Sequence, residues 1–285
     1  MEHWESDLAS ECGATQGDGI RVQSAQVGGC SILRVRVDTE EAAARIGKPC
    51  GRYVTLEFGN VCKLEQREEE RVCRAIAVEM REMARRMCPQ SVKEDPCVLL
   101  VGLGNAEMTA DALGVQAARA LCVTRHLPQE DRVLLTRGSG CRICAFSPGV
   151  SGQTGIESAE LVRGAVWSIR PDLVVAVDAL AARSPTHLAA TVQLCDSGIQ
   201  PGSGMGRGKG ALTQKTLGVP VMAVGMPTVI RCGALVADAL GKEMHGGRFS
   251  WDVGKDLCVC PGEIDLVVAR AARMLAYAVE KAFCT

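Results

Sequence analysis

The sequence lacks the usual marks of a membrane, secreted or nucleic-acid-binding protein. No run reaches the roughly 18 consecutive apolar residues that a bilayer span requires, although 47% of the 285 residues are hydrophobic. Net charge is almost absent, since 32 Lys and Arg face 33 Asp and Glu. A chain so balanced has no global electrostatic pull toward nucleic acid or anionic lipid, so no direct nucleic-acid or membrane partner is expected. The opening residues, Met1-Glu2-His3-Trp4-Glu5-Ser6-Asp7, are acidic and polar, the opposite of a signal peptide. A cytoplasmic location is expected.

Several catalytic signatures are also missing. Ser184 and Ser203 lie in polar or Gly-rich loops, and no Gly-x-Ser-x-Gly elbow precedes a helix. Gly102-x-Gly104 starts a dinucleotide fingerprint, but Glu107 stands where its third glycine belongs. That carboxylate would repel a pyrophosphate. Histidines number four, and His126, at the end of a predicted helix, reads alone as structural.

Cysteine, by contrast, is plentiful at fifteen. Length, an odd count and the polar N-terminus argue against a disulfide scaffold. Many of these thiols sit in apolar runs, such as Cys97 before Val98-Leu99-Leu100-Val101, where a reduced Cys acts as a small hydrophobe. Cys141-x-x-Cys144 with Cys258-x-Cys260 could form a four-sulfur zinc site, but neither half has a supporting His or knuckle glycines. Reduced core cysteine is the preferred reading, with no metal and no cofactor.

Alternation at 31–37 and 53–58 predicts two half-buried strands near the N-terminus. Val72, Ile76, Met80, Met83 and Met87 trace one face of an amphipathic helix over 63–87. Further on, unbroken apolar runs at 97–101, 173–177, 189–194 and 219–224 alternate with helical patterns at 110–123, 158–169, 228–240 and 262–283. Such runs are strands buried on both faces. The fold class expected is α/β: a mostly parallel central sheet with helices on both faces, plus a small N-terminal β segment. The Gly-rich stretch 198–210 reads as a functional loop.

In such a sheet, chemistry gathers beyond the carboxyl ends of the strands. Asp178 ends the run Val174-Val175-Ala176-Val177, where apolar neighbours should raise its pKa. Asp111 follows strand 97–101 by one loop and falls in the first turn of the next predicted helix. Each alone reads first as structural, Asp178 as a cap or loop-anchoring acid and Asp111 as an acid complementing the helix dipole. Together they could share a proton and divide acid and base duties in hydrolysis.

A set of ordered blocks carries a resemblance. Val101-Gly-Leu-Gly-Asn105, Asp111-Ala-Leu-Gly114, Val123-Thr-Arg-His-Leu127, Ser147-Pro-Gly-Val150 and Thr154-Gly-Ile-Glu157 come first. Pro171-Asp-Leu-Val174, Asp178-Ala-Leu-Ala-Ala-Arg-Ser184, Asp196-Ser-Gly-Ile199, Pro201-Gly-Ser-Gly204, Thr216-Leu-Gly-Val-Pro220 and Gly225-Met-Pro-Thr-Val229 follow, then Pro261-Gly-Glu-Ile-Asp265. The order and content resemble the germination protease (spore protease) family of spore-forming bacteria. The resemblance implies an aspartic-type endopeptidase, homotetrameric and made as a zymogen in the developing spore core. Its substrates would be small acid-soluble spore proteins, degraded during germination.

The family's proposed catalytic pair falls on Asp111 and Asp178. Within the matching blocks, Asn105, Arg125, His126, Glu157, Arg183, Asp196 and Ser203 are the supporting residues implied. Family substrates are cut between an acidic residue and a bulky apolar one, with Ala-Ser-Glu next. Ser6-Asp7-Leu8-Ala9-Ser10-Glu11 matches that motif. Self-cleavage between Asp7 and Leu8 is therefore expected, with residues 1–7 a propeptide and 8–285 a single α/β peptidase domain.

The chain departs from the family pattern at Gln200, where a His is usual, at Ala110 and Val115, and in a shortened stretch near 240–255. Two other readings stay open. One is a metal-dependent peptidase of the hydrogenase-maturation type, with His126, Glu157 and Asp178 as ligands. The other is a catalytically degenerate homologue that only binds spore proteins.

Overall fold

The computed structural model describes residues 6–88, 95–201, 210–240 and 257–284. Among them, nine strands form one sheet in the order β1-β2-β3-β7-β8-β6-β4-β5, with β9 paired to β8. Three strands open the chain as an antiparallel meander: β1 (Ile20–Val27), β2 (Cys30–Val37) and β3 (Gly51–Glu57). Helix α1 (Glu40–Ile46) sits between β2 and β3, started by the Thr39 hydroxyl accepting from Ala42 N at 3.2 Å. A long amphipathic helix, α2 (Gln66–Met87), then leads to the central strands, opened by a reciprocal Glu65–Glu68 capping box.

The central strands are β4 (Cys97–Gly102), β5 (Arg142–Phe146), β6 (Leu173–Ala182), β7 (Thr191–Cys195) and β8 (Val221–Arg231). Strands β5, β4, β6 and β8 run parallel, whereas β7 pairs antiparallel with both β8 and β3. The predicted N-terminal β segment is present, and it forms the antiparallel part of the same sheet, joined through β7. Between the strands lie α3 (Leu113–Ala120), α4 (Gln129–Leu135), α5 (Ser151–Thr154), α6 (Ser158–Ile169) and α7 (Gln214–Leu217). The chain closes with α8 (Cys232–Leu240), the short β9 (Cys258–Val259) and α9 (Ile264–Phe283).

Helices cover both faces, as the apolar runs require. On one face α2, α3 and α9 bury Ile76, Met80, Leu113, Val268 and Leu275 against Leu100, Val175, Val177 and Val224. On the other, α6 and α7 press Val162, Val166 and Leu217 onto Leu99, Val101, Val174 and Ala176. Helix α1 packs Ala42 and Ile46 near Tyr53, Cys195 and Ala223 on the antiparallel half. No helix among the described residues is long and apolar enough to cross a membrane.

The described cysteines are all reduced. Cys141 Sγ donates to Pro96 O at 3.4 Å and Cys144 Sγ to Val98 O at 3.7 Å, and among the described residues these two thiols are not grouped with Cys258 and Cys260 as a metal site. Strand β7 is shifted to Thr191–Cys195 from the expected 189–194, and two strands run well past their expected ends. Strand β6 runs four residues past Asp178, because Ala179-Leu180-Ala181-Ala182 is as apolar as what precedes it. Strand β8 likewise continues through Gly225-Met226-Pro227 to Arg231, so the helix expected over 228–240 begins only at Cys232.

Candidate active site

Asp178 lies inside β6, not at its end, and faces the side of the sheet opposite Val175 and Val177. It pairs in register with Gly225 of β8, which in turn pairs with Gln193 of β7. Registered residues on neighbouring strands point the same way, so Asp178, Gly225 and Gln193 form one row across the junction of the parallel and antiparallel halves. Glycine keeps the middle of that row open. A Cβ at Gly225 would stand 2.6 Å from both the Asp178 carbonyl oxygen and Leu180 Cγ.

Asp111 reaches the row from the loop after β4. It sits in a 3-10 turn (Thr109–Asp111), not in the first turn of a helix, because its Oδ2 accepts from Asn105 N at 2.8 Å and folds the loop back. Gly104, at φ +105°, allows this fold: a Cβ there would meet the Asp111 carbonyl oxygen at 1.8 Å. The loop is pinned to the sheet by Thr228 Oγ1, which donates to Ala110 O at 2.7 Å, and by Leu103 N, which donates to Val177 O at 2.9 Å.

Asp178 is 7% exposed, and its Oδ1 accepts from Ala179 N at 2.9 Å. Burial first, then the charge of Asp111, with a smaller contribution from Asp7, lifts its pKa well above the usual carboxylate range. Burial also raises the pKa of Asp111, opposed by the Asn105 N–H that favours its charged form. The two acids are unequal. Each accepts one backbone N–H, but Asp178, the more deeply buried, is shifted further toward holding a proton than Asp111.

The N-terminal segment lies across this row. Asp7 N donates to Ala181 O at 3.0 Å, and Asp7 Oδ2 accepts from Ala181 N at 2.8 Å. Gln193 Nε2 donates to the Asp7 carbonyl at 2.7 Å, while its Oε1 accepts from Ala9 N at 2.6 Å. Leu8 is wholly buried among Leu180, Ala182, Ile230 and Ala234. Ala9 is equally buried against Tyr53, Cys195 and Ala223. Lys48 Nζ donates to Ser6 O at 2.6 Å.

Glu11 closes the segment. Its carboxylate accepts from Arg183 N at 2.7 Å, Ser184 N at 2.8 Å and the Ser6 hydroxyl, and pairs with His187 Nδ1 at 2.7 Å. Burial works to raise the Glu11 pKa, but these partners outweigh it and the net shift is downward. The Glu11 hydrogen bond raises the pKa of His187 against desolvation, and Glu57, 3.3 Å from Nε2, adds to the rise.

The other sequence candidates divide. Asn105 belongs to the site through Asp111, and its Oδ1 also accepts from Gln153 Nε2 at 2.9 Å. Arg183 contributes its backbone N–H, while its side chain is exposed. Asp196 ties β7 to β3 by accepting from Arg52 N at 2.7 Å. Arg125 and His126 are exposed in the turn between α3 and α4, and Glu157 is the N-cap of α6.

His126, Glu157 and Asp178 therefore do not assemble as a ligand set. Among the described residues no three or more His, Cys, Asp or Glu side chains are grouped to hold a metal. Ser203 and the shortened stretch near 240–255 lie outside the described residues, apart from 240 itself. Sequence reasoning missed Gln193, Lys48 and His187. Only a polar residue inside the run Val192-Gln193-Leu194 could have flagged the first of them.

Comparisons with known proteins bear on the family to which the chain belongs. The family model described as germination protease matches residues 2–248. A germination protease of Caldanaerobacter subterraneus is 40% identical over 78% of this chain and 66% of its own length. That of Priestia megaterium is 38% identical over 83% and 63%, and that of Clostridium acetobutylicum 34% identical over 97% and 94%. The match thus spans just under two thirds of the first two relatives and nearly all of the third. Among solved structures, a NiFe hydrogenase maturation protease, HycI from Thermococcus kodakarensis KOD1, is similar over 66% of this chain and 96% of its own. Its TM-score is 0.38 at 18% identity, too loose to carry an argument. On the strength of the family model and these relatives, the chain belongs to the germination protease family of peptidases.

Proposed function

We propose that this chain is a self-processing aspartic-type endopeptidase that cuts its own Asp7–Leu8 bond and then similar bonds in small acid-soluble spore proteins. One observation carries the reading: the Asp7-Leu8-Ala9 stretch is laid over the row that holds Asp178, with Leu8 buried and the Asp7 carbonyl held. A segment matching the substrate motif thus occupies the site as a substrate would. Residues 1–7 form the propeptide and 8–285 the mature domain.

In the proposed reaction Asp111 takes a proton from water, and the water oxygen bonds to the Asp7 carbonyl carbon. Asp178 then gives its proton to the Leu8 nitrogen as the C–N bond breaks. Two carboxyls and one water suffice, with no cofactor. The uncut segment, anchored from Ser6 to Glu11, keeps other chains out until the bond is cut, residues 1–7 leave and the new N-terminus at Leu8 withdraws from the row. The proposal extends to a homotetramer acting in the developing spore core during germination, by likeness to the family.

Intact-mass measurement on incubated protein tests the reading. Wild type should lose residues 1–7, and Asp111→Asn and Asp178→Asn should each slow that loss by about 1000-fold or more. Processing that stops with a chelator and returns with metal would instead favour the metal-dependent reading. A wild type that neither shortens nor cuts a peptide of residues 4–14 would leave only a binding role.

A further inference from the structure

We infer that Gln193 is a catalytic residue of the site, polarising the carbonyl of the bond to be cut and holding the peptide on both sides of it. The inference rests on the reading that Asp7–Leu8 is the scissile bond. Its own evidence is the amide geometry. Nε2 donates to the Asp7 carbonyl oxygen at 2.7 Å, and Oε1 accepts from Ala9 N at 2.6 Å.

The orientation of the amide is fixed by chemistry. A backbone N–H can only donate and a carbonyl can only accept, so Oε1 must face Ala9 and Nε2 must face Asp7. One planar group therefore grips the residue before the cut and the second residue after it. A rigid clamp of this kind sets the scissile carbonyl at a fixed place relative to Asp178, two strands away in the same row.

Gln193 serves the N-terminal segment rather than the strand that carries it. It is 6% exposed on a strand whose other members, Thr191, Val192, Leu194 and Cys195, are also buried. A buried amide costs stability unless its groups are paired. Here both side-chain hydrogen bonds go to the docked segment, and among the described residues none goes to the sheet or its helices. An amide kept in the sheet for the sake of the fold would find its partners there. This one waits for a peptide.

Its contribution follows from charge development. When water adds to the carbonyl carbon, negative charge builds on the oxygen that Nε2–H already touches, and a pre-placed donor stabilises that charge without reorganising. Gln193→Glu preserves size and the acceptor for Ala9 but replaces the donor with a charged oxygen. Gln193→Leu removes both arms.

The test uses processed wild type, Gln193→Glu and Gln193→Leu with two peptides. One has the sequence of residues 4–14, and the other has N-methyl-alanine at the position of Ala9. Mature variants can be expressed as residues 8–285, so slow self-processing does not confound the assay, and melting temperatures report folding. We expect kcat for the plain peptide to fall about 100-fold in Gln193→Glu, the size of loss seen when an oxyanion donor is removed. N-methylation should raise KM for wild type but have no further effect on Gln193→Leu.

Variants that melt with wild type and cut with unchanged kcat would overturn the inference. So would an N-methyl effect of equal size in Gln193→Leu. If wild type cuts the plain peptide at a bond other than Asp–Leu, it is the underlying reading that fails, and the two failures are distinguishable.

Discussion

The two halves of the sheet contribute to the site in different ways. The parallel half, β5-β4-β6-β8, is apolar on both faces and covered by helices, so its one buried acid, Asp178, sits in a poorly solvated place that shifts its pKa. The antiparallel half, β1-β2-β3-β7, has an exposed edge and strands of mixed polarity, and supplies hydrogen bonding through Gln193. Parallel strands buried on both sides provide electrostatics; antiparallel strands with alternating faces provide recognition. The seam between them, β7 against β8, is where the peptide is held.

The largest effect should come from filling the seam. Gly225→Val would place carbon against the Asp178 carbonyl and Leu180, at a cost of about 3 kcal/mol for overpacking, and should abolish self-processing. Denaturant unfolding and intact mass read the two consequences. A variant that kept processing would show that the row need not stay open.

A smaller loss is expected from Leu8→Ala, which empties the contact with Leu180, Ala182, Ile230 and Ala234. About 2 kcal/mol of stability should go, the low end for a buried leucine because the segment can detach from an otherwise intact fold. Proteolysis within residues 6–12 should speed up accordingly. Unchanged protection would place the anchor elsewhere.

The smallest effect is that of pH on the Glu11–His187 contact. His187 has a raised pKa, so its contribution is present below its unfolded value and fades as pH rises through its folded one. Glu11 has a lowered pKa, so its contribution is present above its unfolded value and fades as pH falls through its folded one. Docking should therefore be firmest between those two limits and loosen on the alkaline side first, as His187 loses its proton. Hydrogen exchange at Ala9 N across pH reads this, and His187→Phe should remove the alkaline limb while Glu57, the other acid facing the ring, stays in place.

Much of the parallel half was legible in the sequence. Cys97–Val101 and Leu173–Val177 are apolar runs that admit few alternatives to a buried strand, and Asp178 stands out as the charge that directly follows the second. The extent of that strand was less legible, since an acid after five apolar residues looks like an end. The neighbours of Asp111 have helical propensity, yet the hydrogen bond its carboxylate accepts from Asn105 N, six residues back in the same loop, makes a turn. Strand β5 escaped because Arg142-Ile-Cys-Ala-Phe146 is short and mixed. Gln193 was invisible as a site residue, since its meaning depends on Asp7 and Ala9, more than 180 positions away in the chain.

The account depends above all on Asp178 resisting ionisation because it is buried beside Asp111. Carbon-13 titration of the aspartate carboxyls in the processed 8–285 protein, with and without Asp111→Asn, measures this directly. Asp178 should titrate well above the ordinary carboxylate range in the wild-type sequence, and move down when Asp111 loses its charge. An Asp178 that titrates as an ordinary surface carboxylate, or one indifferent to Asp111→Asn, would contradict the account.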